Sequence, residues 1–140
     1  MKVEGWVNLY GRPRAGIRFD NRTFTEPAAL RLVVPPASSG IYAILVRDAT
    51  SRPQPFRAIY FGESGNFLER VTEQHERYED WTREAGGVAN IYVAFCLTPL
   101  LKEEQRRWVE NDLIARYRPA CNLNDNRVRS TYQPLLGIAK

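Results

Sequence analysis

Ser39-Gly-Ile-Tyr-Ala-Ile-Leu-Val46, a polar break from Arg47 to Pro55, and then Arg57-Ala-Ile-Tyr-Phe-Gly62 form the stretch on which the fold turns. Both runs are dense in Ile, Val, Phe and Tyr, and a glycine bounds each, so they read as two antiparallel strands joined by a long loop. Each carries one tyrosine, Tyr42 and Tyr60. A tyrosine in a strand is ordinarily a packing residue. These two gain another meaning only if the fold brings both rings to one spot.

Outward from this pair, the C-terminal side is the more informative. Past Gly62, Ser64 or Asn66 suits a helix N-cap, because either side chain can accept from free backbone N–H groups. Phe67, Val71, His75 and Tyr78 then recur at helical spacing and predict one apolar face, with Arg70 beside it and Gln74 one turn on. The helix is expected to continue or restart through Asp80-Trp81 and to end at Gly86-Gly87. Val88 to Leu97 is the clearest strand. Thr98 as N-cap and Pro99 at the first helical position predict the next helix, with Glu103 and Glu104 near its positive end and Pro119 as its stop.

Val109, Leu113, Ile114 and Tyr117 define the buried stripe of that last helix, and Glu110 falls within the stripe. A carboxylate there is costly unless it is paired, hydrogen-bonded or holding a cation. An ion pair with an arginine from elsewhere is the plain structural alternative.

The N-terminal side reads less clearly. Residues 1–38 form a leading extension with short β-like pieces, Gly5 to Tyr10 and Ile17 to Phe24, and turns at Gly11-Arg-Pro and Asp20-Asn. Glu26 to Val34 suits a short helix or a strand.

Composition sets outer limits. The chain has 140 residues, 44% hydrophobic and 26% charged, which suits one globular domain with a real core. No apolar run is long enough to span a membrane, and Met1 to Tyr10 lacks the apolar core of a secretory signal. Cys96 and Cys121 imply neither a disulfide framework nor a zinc set, and reduced cysteines suit a cytoplasmic protein. The net charge of +4 mildly favours an anionic partner. Residues 1–58 carry nine Lys or Arg against four Asp or Glu, residues 63–84 three against seven, and residues 100–140 eight against five. Basic ends about an acidic middle suit a grip on a polyanion, and scattered solubilising charge explains them equally well.

The order of these features resembles the GIY-YIG nuclease superfamily. Gly40-Ile41-Tyr42 matches the first signature triplet, and Tyr60-Phe61-Gly62 matches the second with Phe for Ile. Ser64-Gly65-Asn66-Phe67 and Arg70 stand where the family has a polar turn, a helix start and an arginine. Glu110-Asn-Asp-Leu-Ile-Ala-Arg-Tyr-Arg-Pro-Ala-Cys-Asn122 matches every fixed position of Glu-x-x-Leu-Ile-x-x-Tyr-x-Pro-x-x-Asn. The resemblance covers Ser39 to Asn122.

It implies an α/β (α+β) fold: a small three-stranded antiparallel sheet flanked by helices, with the N-terminal β-like extension packed on it. The expected division is residues 1–38 as extension, 39–122 as catalytic domain and 123–140 as a basic tail. The implied activity is a divalent-metal-dependent endonuclease hydrolysing DNA phosphodiesters. Glu110 would hold Mg²⁺ (or Mn²⁺) through oxygen, and the ion would polarise the phosphate and stabilise the leaving oxygen. Arg70 would bind the phosphate and its developing charge. Tyr42 or Tyr60 would orient the attacking water, one of them deprotonating it, and Asn122 would fix the metal or phosphate geometry by hydrogen bonds.

Two departures touch the site. Family members often carry a lysine or similar polar residue after the second triplet, and here Glu63 is expected to oppose ionisation of Tyr60. They also place a His or Tyr four residues after the arginine, where this chain has Gln74, with His75 one residue later. His75 is either the general base or proton acceptor, or a satisfied core histidine. The tail Arg127-Val-Arg-Ser-Thr-Tyr-Gln-Pro134 could lie on a phosphate backbone or be a solvated terminus. A degenerate module that binds nucleic acid or a partner protein without cutting is the rival reading.

Overall fold

Gly40–Arg47 (β4) and Phe56–Ser64 (β5) pair antiparallel, with Tyr42 opposite Gly62 and Ala43 opposite Phe61. The register shifts between Ile44 and Leu45, so that Ile59 is the extra residue of a bulge. The computed structural model describes residues 16–123. Before β4 come β1 (Ile17–Phe19), β2 (Arg22–Phe24) and β3 (Ala28–Ala29). After β5 come α1 (Phe67–Arg70), α2 (Tyr78–Ala85), a 3₁₀ turn at Val88–Asn90, β6 (Tyr92–Leu97) and α3 (Glu103–Tyr117).

The fold is mixed α/β, an antiparallel sheet flanked by helices. The sheet has four strands in the order β3-β6-β4-β5, one more than expected. The added edge comes from the Glu26 to Val34 stretch, of which only Ala28 and Ala29 pair, with Val93 and Tyr92. β1 and β2 form a separate hairpin that turns at Asp20, where φ is +58°. Gly5 to Tyr10 and the tail from residue 124 lie outside the described residues.

Two apolar layers sandwich the sheet. On one face Val109, Leu113 and Ile114 of α3 join Ile17, Phe19 and Phe24 against Ile41, Ala43, Leu45 and Phe61. On the other, Phe67, Val71 and Trp81 close over Tyr42, Ile44 and Tyr60. Tyr117 lies at the margin of the stripe, 43% exposed, and packs edge-on against Phe19. Among the described residues no helix is long and apolar enough to cross a membrane.

Three element boundaries differ from expectation. The Phe67-to-Tyr78 helix breaks after Arg70, because Thr72 Oγ1 and His75 Nδ1 take the Gln74 and Arg77 amides that a helix would direct four residues back. Phe67, Val71 and His75 are nonetheless all buried. α3 starts at Glu103, not at Thr98-Pro99. The Thr98 amide donates to the Ser39 carbonyl, tying the segment to β4, and the helix begins where Gln105 Oε1 receives the Lys102 amide. The last strand begins only at Tyr92, after the 3₁₀ turn. α2 ends as expected, with Gly86 in the left-handed region at φ +79°.

Candidate active site

β5 is an edge strand, so every second residue turns its amide and carbonyl outward, away from β4. The segment from Glu110 to Asn122 saturates that edge. The Ile59 carbonyl accepts from the Cys121 amide at 2.9 Å. Asn122 works as a two-pronged clamp on Phe61: its Oδ1 accepts from the Phe61 amide at 2.7 Å and its Nδ2 donates to the Phe61 carbonyl at 2.9 Å. Glu110 Oε2 then accepts from the Glu63 amide at 3.1 Å. The glutamate and the asparagine at the two ends of the signature thus address one strand edge, two residues apart. This hydrogen bond meets the cost of placing Glu110 on the apolar stripe, and it aims the carboxylate at the end of β5.

At that end a cleft of about 400 Å³ is lined by Tyr42, Glu63, Ser64, Gly65, Arg70, Glu103, Arg106 and Glu110. Tyr42 reaches it because its cross-strand partner is Gly62: a Cβ at Gly62 would stand 2.2 Å from the Tyr42 ring. No other residue type allows that close approach. Arg70 leaves the end of α1, whose start is capped by Asn66 Oδ1 accepting from the Leu68 amide. Its guanidinium forms a fork with Glu76, at 2.7 and 2.6 Å. That pairing raises the Arg70 pKa and holds the Glu76 carboxyl down at about 2.

The Tyr42 hydroxyl lies 2.7 Å from His75 Nε2. His75 Nδ1 receives the Arg77 amide at 2.9 Å, and an amide can only donate. In the neutral ring the proton therefore sits on Nε2, which donates to the Tyr42 oxygen. Tyr60 lies behind this pair, its ring 6.1 Å from Tyr42, 5.7 Å from His75 and 5.3 Å from Trp81. Trp81 closes the layer at 4.3 Å from His75. Burial pushes the Tyr42 pKa well above the ordinary tyrosine value; Tyr60, Glu110 and Glu76 add to the rise and Arg70 opposes it.

No protein-family model matches this chain, and no curated protein matches it. Among solved structures it is similar to the GIY-YIG N-terminal endonuclease domain of UvrC from Thermotoga maritima, a point mutant bound to its catalytic divalent cation. Identity is 19% and the TM-score 0.43, over 65% of this chain and 89% of that one.

Of the six residues singled out in the sequence, Tyr42, Arg70 and Glu110 line the cleft. Tyr60 and His75 stand in the ring layer behind Tyr42. Asn122 is 1% exposed and does not line the cleft; its amide clamps the Phe61 backbone and so positions β5. Contrary to expectation, Glu63 does not bear on Tyr60. It sits on the α3 face, opposite to Tyr60, and its carboxylate meets Arg106 Nε at 3.0 Å and Arg107 Nε at 3.8 Å. Its charge is matched and directed away from the phenol. Glu76 and Arg106 went unnoticed in the sequence, where each is one more charge on a polar stretch.

Proposed function

We propose that this chain is a divalent-metal-dependent endonuclease hydrolysing DNA phosphodiester bonds at the Tyr42–Arg70–Glu110 cleft. The observation that supports it is the lining of one cleft by a phenol, a guanidinium and a carboxylate delivered from β4, α1 and α3.

Glu110 would hold the cation. Among the described residues no group of three or more His, Cys, Asp or Glu side chains could hold a metal. A single carboxylate with water and phosphate oxygens suits Mg²⁺, or Mn²⁺, which need no closed protein cage. Such an ion would supply positive charge at the phosphate and the departing oxygen. Arg70 binds the non-bridging oxygens through its fork, and Glu76 must yield the fork to the phosphate. Tyr42 positions the attacking water. With its pKa raised, it is protonated at neutral pH and turns into a base only where positive charge offsets its burial. His75 enters as a hydrogen-bond donor that holds and stabilises the Tyr42 oxygen, not as the base.

Glu110→Ala is expected to abolish plasmid nicking in Mg²⁺ while the circular dichroism spectrum is kept. Nicking at the parent rate would remove Glu110 from the site.

The closed Arg70–Glu76 fork favours one other reading, a module that binds nucleic acid without cutting. Calorimetry with Mg²⁺ or Mn²⁺ separates the two: a protein that binds DNA yet shows no metal binding dependent on Glu110 belongs to that second class.

A further inference from the structure

We propose that the cleft contains a second phosphate-binding position, built on Arg106 and opening at Gly65, which grips a phosphodiester oxygen beside the bond being cut. This rests on the endonuclease reading of the same cleft.

Arg106 stands one helical turn before Glu110 on α3 and lines the cleft with it. Its side chain is 11% exposed. Nε donates to Glu63 Oε2 at 3.0 Å, and Nη1 donates to the Leu101 carbonyl at 3.0 Å. Two of the three guanidinium nitrogens are therefore held, and because the group is planar the third is held with them. That third nitrogen, Nη2, faces Gly65. A Cβ built on Gly65 would stand 3.6 Å from Nη2 and, its chain neighbours aside, within 4 Å of no other atom. The Gly65 backbone is not in the left-handed region, so neither its conformation nor a clash demands glycine. What glycine leaves is open space in front of a fixed donor.

The lining carries three carboxylates, Glu63, Glu103 and Glu110, against two guanidinium groups, so an anion is drawn by the local donor and not by net charge. Glu63 is paired with Arg106, and Glu103 with Arg107 at 2.6 Å, which weakens their repulsion of a phosphate arriving at Nη2. Arg70, by contrast, must first release Glu76. The cleft thus has one cation ready for the backbone and one that exchanges partners. A strand entering across Gly65 meets Arg106 before its neighbouring phosphate reaches Glu110 and Arg70. The ligand is the sugar–phosphate backbone of the strand being cut, contacted without regard to base.

The test is fluorescence anisotropy of the full chain with a short labelled duplex, in EDTA so that binding is read without cleavage, across a salt series. Arg106→Gln should weaken binding roughly tenfold, as loss of a charge-assisted hydrogen bond does. It should also lower the slope of log K against log salt by about 0.9, the value of one phosphate contact. Gly65→Ala should weaken binding several-fold at an unchanged melting temperature, because its methyl group fills the approach to Nη2. If Arg106→Gln fails to fold because Glu63 loses its closer partner, the Glu63→Gln/Arg106→Gln double variant and Gly65→Ala carry the test. Binding and salt slope equal to the parent in the folded variants would overturn the Arg106 site and leave the endonuclease reading standing. A parent protein that binds neither duplex nor single strand would overturn both.

Discussion

The two faces of the sheet solve the same problem, a polar group inside an apolar layer, by different means. On the α3 face the layer is mostly aliphatic, and the Glu110 carboxylate is anchored to the backbone of β5, as Asn122 is farther along the same strand edge. On the α1 and α2 face the polar atoms lie within a layer of rings, where Tyr42 and His75 satisfy each other between Tyr60, Phe67 and Trp81. Backbone anchoring fixes a carboxylate to the strand itself. Side-chain anchoring fixes a phenol through a ring whose orientation depends on the loop between α1 and α2. The carboxylate's place is thus set by the sheet, and the phenol's by packing.

The sharpest way to break the contrast is Tyr42→Phe, which keeps the ring packing and removes only the oxygen. On the proposed reading single-turnover cleavage should fall about 10³-fold, with thermal stability little changed. Parent-like cleavage would show that this phenol only packs. Arg70→Ala comes next, with an expected loss of about 10²-fold to 10³-fold in kcat, the scale of a lost transition-state donor. Rates at the parent level would take Arg70 out of the site.

Asn122→Ala tests the backbone-anchored side. It orphans the amide and the carbonyl of Phe61 and should cost about 1–3 kcal/mol in urea unfolding. If Asn122 only positions β5, KM and kcat measured well below the melting temperature should shift less than the stability does.

The smallest effect concerns Glu76. Its pKa is depressed from the ordinary 4.5 to about 2, so the stability it contributes is present above 4.5 and disappears as pH falls from there toward 2. With the Glu76 side chain 55% exposed, that contribution is no more than about 1 kcal/mol. The stability difference between the parent and Glu76→Gln should therefore be greatest near neutral pH and close by about pH 2. A difference that stays constant with pH would assign the effect to something other than the fork.

Much of the layout was legible along the chain. The strand pair about Tyr42 and Tyr60 announced itself by β-branched and aromatic density, and Glu110 by its place on a helical stripe. Burial of Phe67, Val71 and His75 followed their spacing even though the helix between them broke, because close-spaced turns kept the same residues facing the sheet. The break depended on Thr72 and His75 accepting local amides, a competition that periodicity does not register. The fourth strand stood only as one alternative for Glu26 to Val34, because two alanines carry little strand signal and pair where β6 offers an edge.

The sequence by itself determined which residues face inward and which chemical types stand near the ends of strands and helices, since both follow from local period and side-chain chemistry. Only the tertiary structure decided what each polar group is bonded to. Asn122 lies 61 residues from the strand it clamps, Tyr42 lies 33 from the histidine that holds it, and Arg106 lies 43 from Glu63. Hydrogen bonds are short-ranged and directional, so partners so far apart along the chain are chosen by how the sheet and helices close in space.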